Sequence, residues 1–172
     1  EHNWISVLDL RANEEVLHSN MRSSSRRNVR KARKNNLHVR ESTSLTDFDH
    51  FYQMILETRR YQGVPPYPKH LFVNLANMPE ARLYLACQGD EILAGIITLC
   101  HDKRAIYAYG ASIKDREKLR LRPNDLLFWH IIHEMKSAGY EFFDFGTTPA
   151  SNEGLLHFKE NWGAESRRLA YA

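Results

Sequence analysis

The stretch RLYLACQGDEILAGIITLCHDKRAIYAYGA, residues 82–111, decides the fold of this 172-residue chain. Three runs rich in β-branched, aromatic and other apolar residues (82–88, 91–101 and 105–111) are separated by the short breaks Gly89-Asp90 and Asp102-Lys103. Breaks of that length and chemistry predict hairpins, so this part of the sheet reads as antiparallel. Outward to the C-terminus, a polar loop over 112–122 leads through Pro123-Asn124-Asp125 into a helix ending near Ala138, which Gly139 stops. A short apolar strand over 141–145, a small helix over 155–161 and a last strand from about Arg167 follow. Toward the N-terminus, residues 37–41 alternate as a strand. Residues 46–62 place Phe48, Phe51, Tyr52, Ile55 and Leu56 on one helical face, and Gly63 ends that helix. The prolines of 64–68 forbid regular structure, and a second helix over 69–77 precedes the hairpins. A short strand or extended lead-in over 4–10 and helices over 12–20 and 24–34 open the chain. The expected fold is α/β, with a mixed, largely antiparallel sheet flanked by helices. Residues 1–35 read as a basic helical lead-in and 36–172 as the main domain.

The length suits one domain with a real core, and 42% apolar with 26% charged residues is ordinary globular composition. No apolar run reaches the roughly 18 residues of a membrane span, and no secretory signal opens the chain. A cytoplasmic location is therefore expected. Cys87 and Cys100 lie inside predicted strands without metal-ligand spacing and read as reduced, buried thiols. The formal charge is only +3, but no acidic residue occurs between Val16 and Arg40. That stretch holds Arg22, Arg26, Arg27, Arg30, Lys31, Arg33, Lys34 and Arg40. Two readings stand open: a solvated helix face, or contact with the phosphates of RNA or of a nucleotide-linked substrate. No aromatic residue is interleaved with these cations, which argues against a platform for stacking single-stranded bases.

The chemistry concentrates near the C-terminus. Phe143-Asp144-Phe145-Gly146 is an apolar strand running into a glycine, and the helix beyond it carries Phe158-Lys159 before Trp162-Gly163. Such an arrangement can hold a cation at the open end of a sheet, where a carbonyl could be activated. Equally, Lys159 could be a surface lysine snorkelling from its helix. Tyr107 and Tyr109 alternate along one strand, so one face could carry both hydroxyls. Asp144 could orient Lys159, accept a proton, or simply bond backbone at the strand end. His130, His133 and Glu134 lack the His-Glu-x-x-His spacing, and no Gly-x-Ser-x-Gly elbow, Walker loop or cysteine nucleophile setting occurs. No metal is expected.

The order of elements resembles that of GNAT acyltransferases, in which the fourth and fifth strands (here 105–111 and 141–145) splay apart to admit a thioester or ester arm. Coenzyme A-dependent members carry a glycine-rich turn before the following helix, where backbone amides meet a pyrophosphate. The matching residues here are Lys118-Leu119-Arg120-Leu121-Arg122-Pro123-Asn124-Asp125, without glycine.

A more specific resemblance is to the second subdomain of the Fem family of aminoacyltransferases, and to FemAB-like proteins of polysaccharide-export systems. It rests on Trp4 with the basic run Arg26–Lys34, Arg60-Tyr61-Gln62-Gly63-Val64-Pro65 with Tyr67-Pro68, and Tyr107-Ala108-Tyr109-Gly110-Ala111-Ser112. It continues through Pro123-Asn124-Asp125-Leu126-Leu127-Phe128-Trp129, Gly139 with Phe143-Asp144-Phe145-Gly146, and Phe158-Lys159 with Trp162-Gly163. The resemblance implies transfer of an aminoacyl group from an activated ester, aminoacyl-tRNA, to an amine on a nucleotide- or lipid-linked cell-wall or envelope precursor. It implies no tightly bound cofactor, and attachment to membranes only at their periphery. Lys159 would stabilise the oxyanion, with Phe158 packing the donor end or the lysine stem. Arg60, or its neighbour Arg59, would meet substrate phosphate, and Tyr67, Tyr107 and Tyr109 would line the substrate. The chain is expected to be the C-terminal half of a longer protein with two subdomains. Two other functions stay open: an acyl-coenzyme A-dependent N-acyltransferase acting on a saccharide or small-molecule amine, and a non-catalytic RNA-binding module.

Overall fold

A computed structural model describes residues 3–169. In chain order the elements are β1 (Asn3–Asp9), α1 (Glu14–Asn20), α2 (Ser23–Lys34), β2 (Leu37–Ser42), α3 (Leu45–Gln62), α4 (Lys69–Ala76) and β3 (Ala81–Gln88). They continue as β4 (Glu91–His101), β5 (Arg104–Ser112), α5 (Arg116–Leu119), α6 (Pro123–Ser137), β6 (Phe142–Pro149), α7 (Glu153–Glu160) and β7 (Glu165–Leu169). The strands form one sheet in the order β2-β3-β4-β5-β6-β1-β7. Every neighbouring pair is antiparallel except β5 with β6. The expected mixed α/β fold is thus present.

Three local expectations change. Part of the loop over 112–122 is the one-turn helix α5, because the Asp115 carboxylate accepts from the amides of Glu117 and Lys118. The strand expected to stop at Phe145 runs to Pro149, and the last strand starts at Glu165 rather than Arg167. Of the two readings of the opening segment the strand is present: β1 lies between β6 and β7, and Val29 and Ala32 of α2 enter the same core as α6.

Helices cover both faces of the sheet. On one face, α2 and α6 bury Val29, Ala32, Leu127, Ile131 and Met135 against Tyr84, Ala94 and Ile96. On the other, α3 and α4 bury Phe51, Ile55 and Phe72 against Leu83, Leu85 and Ile97. Each of the larger apolar side chains among these contributes roughly 1.5–3 kcal/mol by leaving water.

Two bulges open the middle of the sheet. β5 and β6 pair only over Arg104–Phe142, Ala105–Phe143 and Ile106–Asp144. Beyond that point Tyr107 of β5 faces Thr98 while Tyr109 faces Ile97, so Ala108 is an extra residue. On β6, Asp144 faces Val7 while Thr147 faces Ile5, leaving one extra residue where Gly146 turns with φ 73°. A bulge bends its strand and increases its twist. With one bulge on each strand, β5 and β6 diverge, and their free backbone borders a cleft.

Candidate active site

The cleft holds a cavity of about 250 Å³ lined by Tyr107, Gly110, Phe128, Phe145, Phe158 and Lys159, with Lys114, Asn124 and Leu155 also in its wall. Lys159 is 4% exposed. The Asn152 side chain caps α7 by accepting from the Leu155 amide, and this helix aims Lys159 back at the bulge of β6. Its Nζ donates to the carbonyl oxygens of Gly146 at 2.9 Å and Thr147 at 3.1 Å. An ammonium has three N–H donors, so one remains for a ligand in the cavity. The surface-lysine reading is excluded by this geometry. Burial lowers the Lys159 pKa to about 8, while the negative charge of Asp144 works the other way. At neutral pH the group is a poorly solvated cation with one uncommitted donor.

Asp144 makes no hydrogen bond to Lys159. Its carboxylate accepts from the Gly146 amide at 2.8 Å and from Arg104 Nη1 at 2.8 Å. It therefore holds the glycine turn whose carbonyl receives Lys159, and adds a negative charge nearby. Of its expected roles, backbone support is the one the geometry contains. Phe158 packs edge-on against Phe128 with ring centres 5.3 Å apart, forming an aromatic wall beside Lys159.

The two tyrosines do not share a face, contrary to expectation, because the bulge at Ala108 breaks the alternation. Tyr107 turns toward α6, its ring 5.4 Å from Phe128, and lines the cavity. Its hydroxyl lies over Gly110, where an added Cβ would stand 2.1 Å from it. Burial pushes its pKa up to about 12, so it is a neutral hydroxyl. Tyr109 turns to the other core, with its ring 5.3 Å from both Tyr67 and Phe72. The Arg59 guanidinium covers the Tyr67 ring at 4.2 Å and its Nε donates to the Pro65 carbonyl at 2.8 Å. Arg60 is exposed on the last turn of α3, outside the cavity lining. The cavity thus gathers Lys159, Phe158 and Tyr107, with Asp144 behind the glycine turn, but not Arg60, Tyr67 or Tyr109.

Sequence reasoning misses Lys114, Thr58 and Gly110. Lys114 Nζ donates to Thr58 Oγ1 at 3.0 Å and forms no ion pair among the described residues, so a second cation stands in the cavity wall. Its position just past the diverging end of β5 is the one sequence signal for it.

The turn before α6 spends its amides internally. The amide groups of Glu117 and Lys118 donate to Asp115 Oδ1, and those of Leu119, Arg120, Leu121 and Arg122 donate to backbone carbonyls. Pro123 has no amide hydrogen. Residues 117–123 therefore offer no cradle of free N–H groups. The side chains of Lys118 and Arg120 are paired with Glu91 and Glu117.

Of the six cations expected on α2, Arg26 is committed, since its Nη1 donates to the carbonyls of His18 at 2.9 Å and Met21 at 2.5 Å and so caps α1. Arg27, Arg30, Lys31, Arg33 and Lys34 are exposed and form no ion pair among the described residues. Among the described residues no group of three or more His, Cys, Asp or Glu could hold a metal ion. No described helix is long and apolar enough to cross a membrane.

Comparison with known proteins gives three results. The family model for the acetyltransferase (GNAT) domain matches residues 19–160. No curated protein sequence matches the chain significantly. Among solved structures, that of FemX superposes with a TM-score of 0.82 at 17% identity, covering 95% of this chain and 59% of FemX. The C-terminal domain of a putative lysylphosphatidylglycerol synthetase from Agrobacterium fabrum gives 0.71 at 15% identity, covering 96% of this chain and 58% of that one. An aminoglycoside acetyltransferase from an uncultured soil metagenomic sample, in complex with sisomicin, gives 0.63 at 15% identity, with 81% and 96% covered. The chain spans somewhat over half the length of the first two.

Proposed function

Since the chain belongs to the acetyltransferase (GNAT) domain family, we propose that it transfers an aminoacyl group from an activated ester, aminoacyl-tRNA, to an amine on a cell-wall or envelope precursor. The observation that carries this reading is Lys159, a buried cation with one spare N–H at the open end of the splayed strands. The amine nitrogen adds to the ester carbonyl, forming the C–N bond while the carbonyl π electrons move to oxygen. The Lys159 ammonium meets that oxyanion, and the poorly hydrated pocket makes its charge count for more than it would in water. Collapse expels the donor's ribose oxygen, which takes up a proton as the amine nitrogen loses one. Amide and free alcohol are the products. The neutral Tyr107 hydroxyl lies in the same cavity and can hydrogen-bond the leaving oxygen. Asp144 positions the glycine turn and, through its charge, keeps Lys159 more protonated than burial alone would.

The ester donor is favoured over coenzyme A by the turn before α6, whose amides are already bonded. The five solvent-facing cations of α2 suit the phosphates of an RNA carrier. Likeness to FemX supports an envelope precursor as acceptor, and the span of only part of FemX supports a second subdomain in the whole protein. The acyl-coenzyme A reading keeps one support, the likeness to the aminoglycoside acetyltransferase.

The test is transfer of label from charged tRNA to a precursor amine by wild-type and Lys159→Ala proteins. Loss of an oxyanion donor should lower kcat about 10²–10³-fold. Full rate in the variant would sink the role of Lys159. Calorimetric titration with a coenzyme A thioester separates the donors, since micromolar binding would favour the second reading.

A further inference from the structure

A second cavity, of about 240 Å³, lies on the neighbouring flank of α6. Phe128 lines the first cavity, and Trp129, about 100° further round the helix, lines this one. Its other walls are Met21 and Val29, with His18, Arg30 and Arg33 at the edge and Arg26 behind, tied to the α1 carbonyls. Arg30 and Arg33 are one turn apart on α2, so both guanidinium groups reach the same opening. Both are exposed, and neither forms an ion pair among the described residues. Acids on the surrounding helices have partners of their own: Glu14 lies 3.4 Å from His133, Glu134 3.7 Å from His130, and Asp125 accepts from Asn28 at 3.1 Å. Trp129 is half-buried and held by the rings of His133 at 4.0 Å and His18 at 5.8 Å, so its indole is fixed before any ligand arrives.

No aromatic occurs within the basic run itself, and the fold supplies one from α6. An aromatic floor with two uncompensated guanidinium groups at its edge has the chemistry to hold a flat ring and a phosphate together. The volume is below the roughly 300–1,000 Å³ of sites that enclose a whole ligand. It suits one base with its phosphate, the remainder lying in solvent. We propose that this cavity binds a nucleotide, with the base on Trp129 and the phosphate on Arg30 and Arg33. The site stands on this cavity alone, whichever acyl donor the first cavity takes.

The test is calorimetric titration of the protein with AMP, CMP, inorganic phosphate, a short single-stranded RNA and anionic phospholipid vesicles, with no acyl donor present. Arg30→Gln/Arg33→Gln alters only exposed side chains, and Trp129→Leu removes the stacking face. A mononucleotide should bind more tightly than phosphate, and Trp129→Leu should weaken it roughly 5- to 150-fold, the value of one stacked base. The double arginine variant should weaken nucleotide and phosphate alike. RNA binding tighter than AMP or CMP, with a steep salt dependence, would identify an RNA strand as the source; equal affinity would identify a free nucleotide. Phosphate binding as tight as that of nucleotide, retention of affinity by Trp129→Leu, or binding to vesicles alone would overturn the proposal. Lys159→Ala should bind nucleotide as wild type does, so failure of the transfer assay and failure of this site are separate results.

Discussion

Replacing Lys159 with methionine should change how stability depends on pH more than it changes stability itself. The buried ammonium loses its proton at about pH 8 in the folded chain, against an ordinary lysine value of 10.5. Because the folded pKa lies below the unfolded one, the unfolded chain binds the extra proton throughout that window. Stability therefore rises as pH rises from about 8 to 10.5, and the cost of burying the charge is fully present below pH 8. Integrated from pH 7 to pH 10, the wild type should gain about 2.5 kcal/mol from this one group, and the variant should gain none of it. Near pH 7 the two effects of the substitution oppose each other. Methionine removes the buried charge, but it leaves the Gly146 and Thr147 carbonyls without a donor, at roughly 1–3 kcal/mol each. Denaturant unfolding of both proteins at several pH values, followed by circular dichroism, isolates the lysine's contribution as a difference. Tyr107 also titrates late, but it is common to both proteins and cancels. In thermal melts the same contribution should raise the wild-type Tm relative to the variant's by roughly 5–10 °C over this pH range. Parallel stability curves from pH 7 to pH 10 would refute the claim that Lys159 is held as a poorly solvated cation.

Gly110→Ala would place a Cβ 2.1 Å from the Tyr107 hydroxyl and 2.8 Å from its ring carbon Cζ, so the ring must leave its place beside Phe128. We expect roughly 1–3 kcal/mol of destabilisation in urea unfolding, together with a fall in transfer rate. Asp144→Asn keeps an acceptor for the Gly146 amide but removes the charge that favours the Lys159 ammonium. The alkaline limb of the pH–rate profile should move to lower pH, with activity recovered as the pH falls. Changing Arg27, Lys31 and Lys34 together to glutamine removes three exposed, unpaired cations from α2. Electrophoretic binding assays across salt concentrations should show an RNA-binding slope flatter by about 0.7 for each phosphate left unneutralised.

The hairpins were legible because Gly89-Asp90 and Asp102-Lys103 interrupt runs with strong strand preference, and α3 was legible from its single apolar face. The bulges were not. Gly146 reads as a strand terminator, yet β6 passes through it, because β1 and the Asp144 carboxylate hold the chain on both sides of the turn. Ala108 has no sequence signature at all, since its extra place exists only relative to β4, and the opposite facing of Tyr107 and Tyr109 follows from it. Lys159 and Phe158 could be located because a strand, a glycine and a short helix constrain where the helix points. The state of Lys159 could not, since it depends on two carbonyls exposed by the bulge. Arg26 reads with the other α2 cations in the sequence because its partners are the α1 carbonyls, which only the turn between these helices brings near.

The choice of donor comes down to where its phosphates can be met. The acyl cleft supplies one spare N–H at Lys159 and the exposed Lys114 in its wall, enough for a carbonyl and its immediate surroundings. A pyrophosphate at the turn before α6 would find the amides of residues 117–122 already bonded, and two of the turn's cations, Lys118 and Arg120, already paired. Uncompensated positive charge lies instead along α2, which packs on α6. The donor we propose has a short activated arm and a long phosphate-bearing body, with its ester at Lys159 and its backbone along α2. Coenzyme A bound at the turn uses the first place and finds little at the second. Aminoacyl-tRNA, the donor we propose, would match that separation of charge, and on that proposal the lysine in the cleft and the arginines outside it belong to one reading.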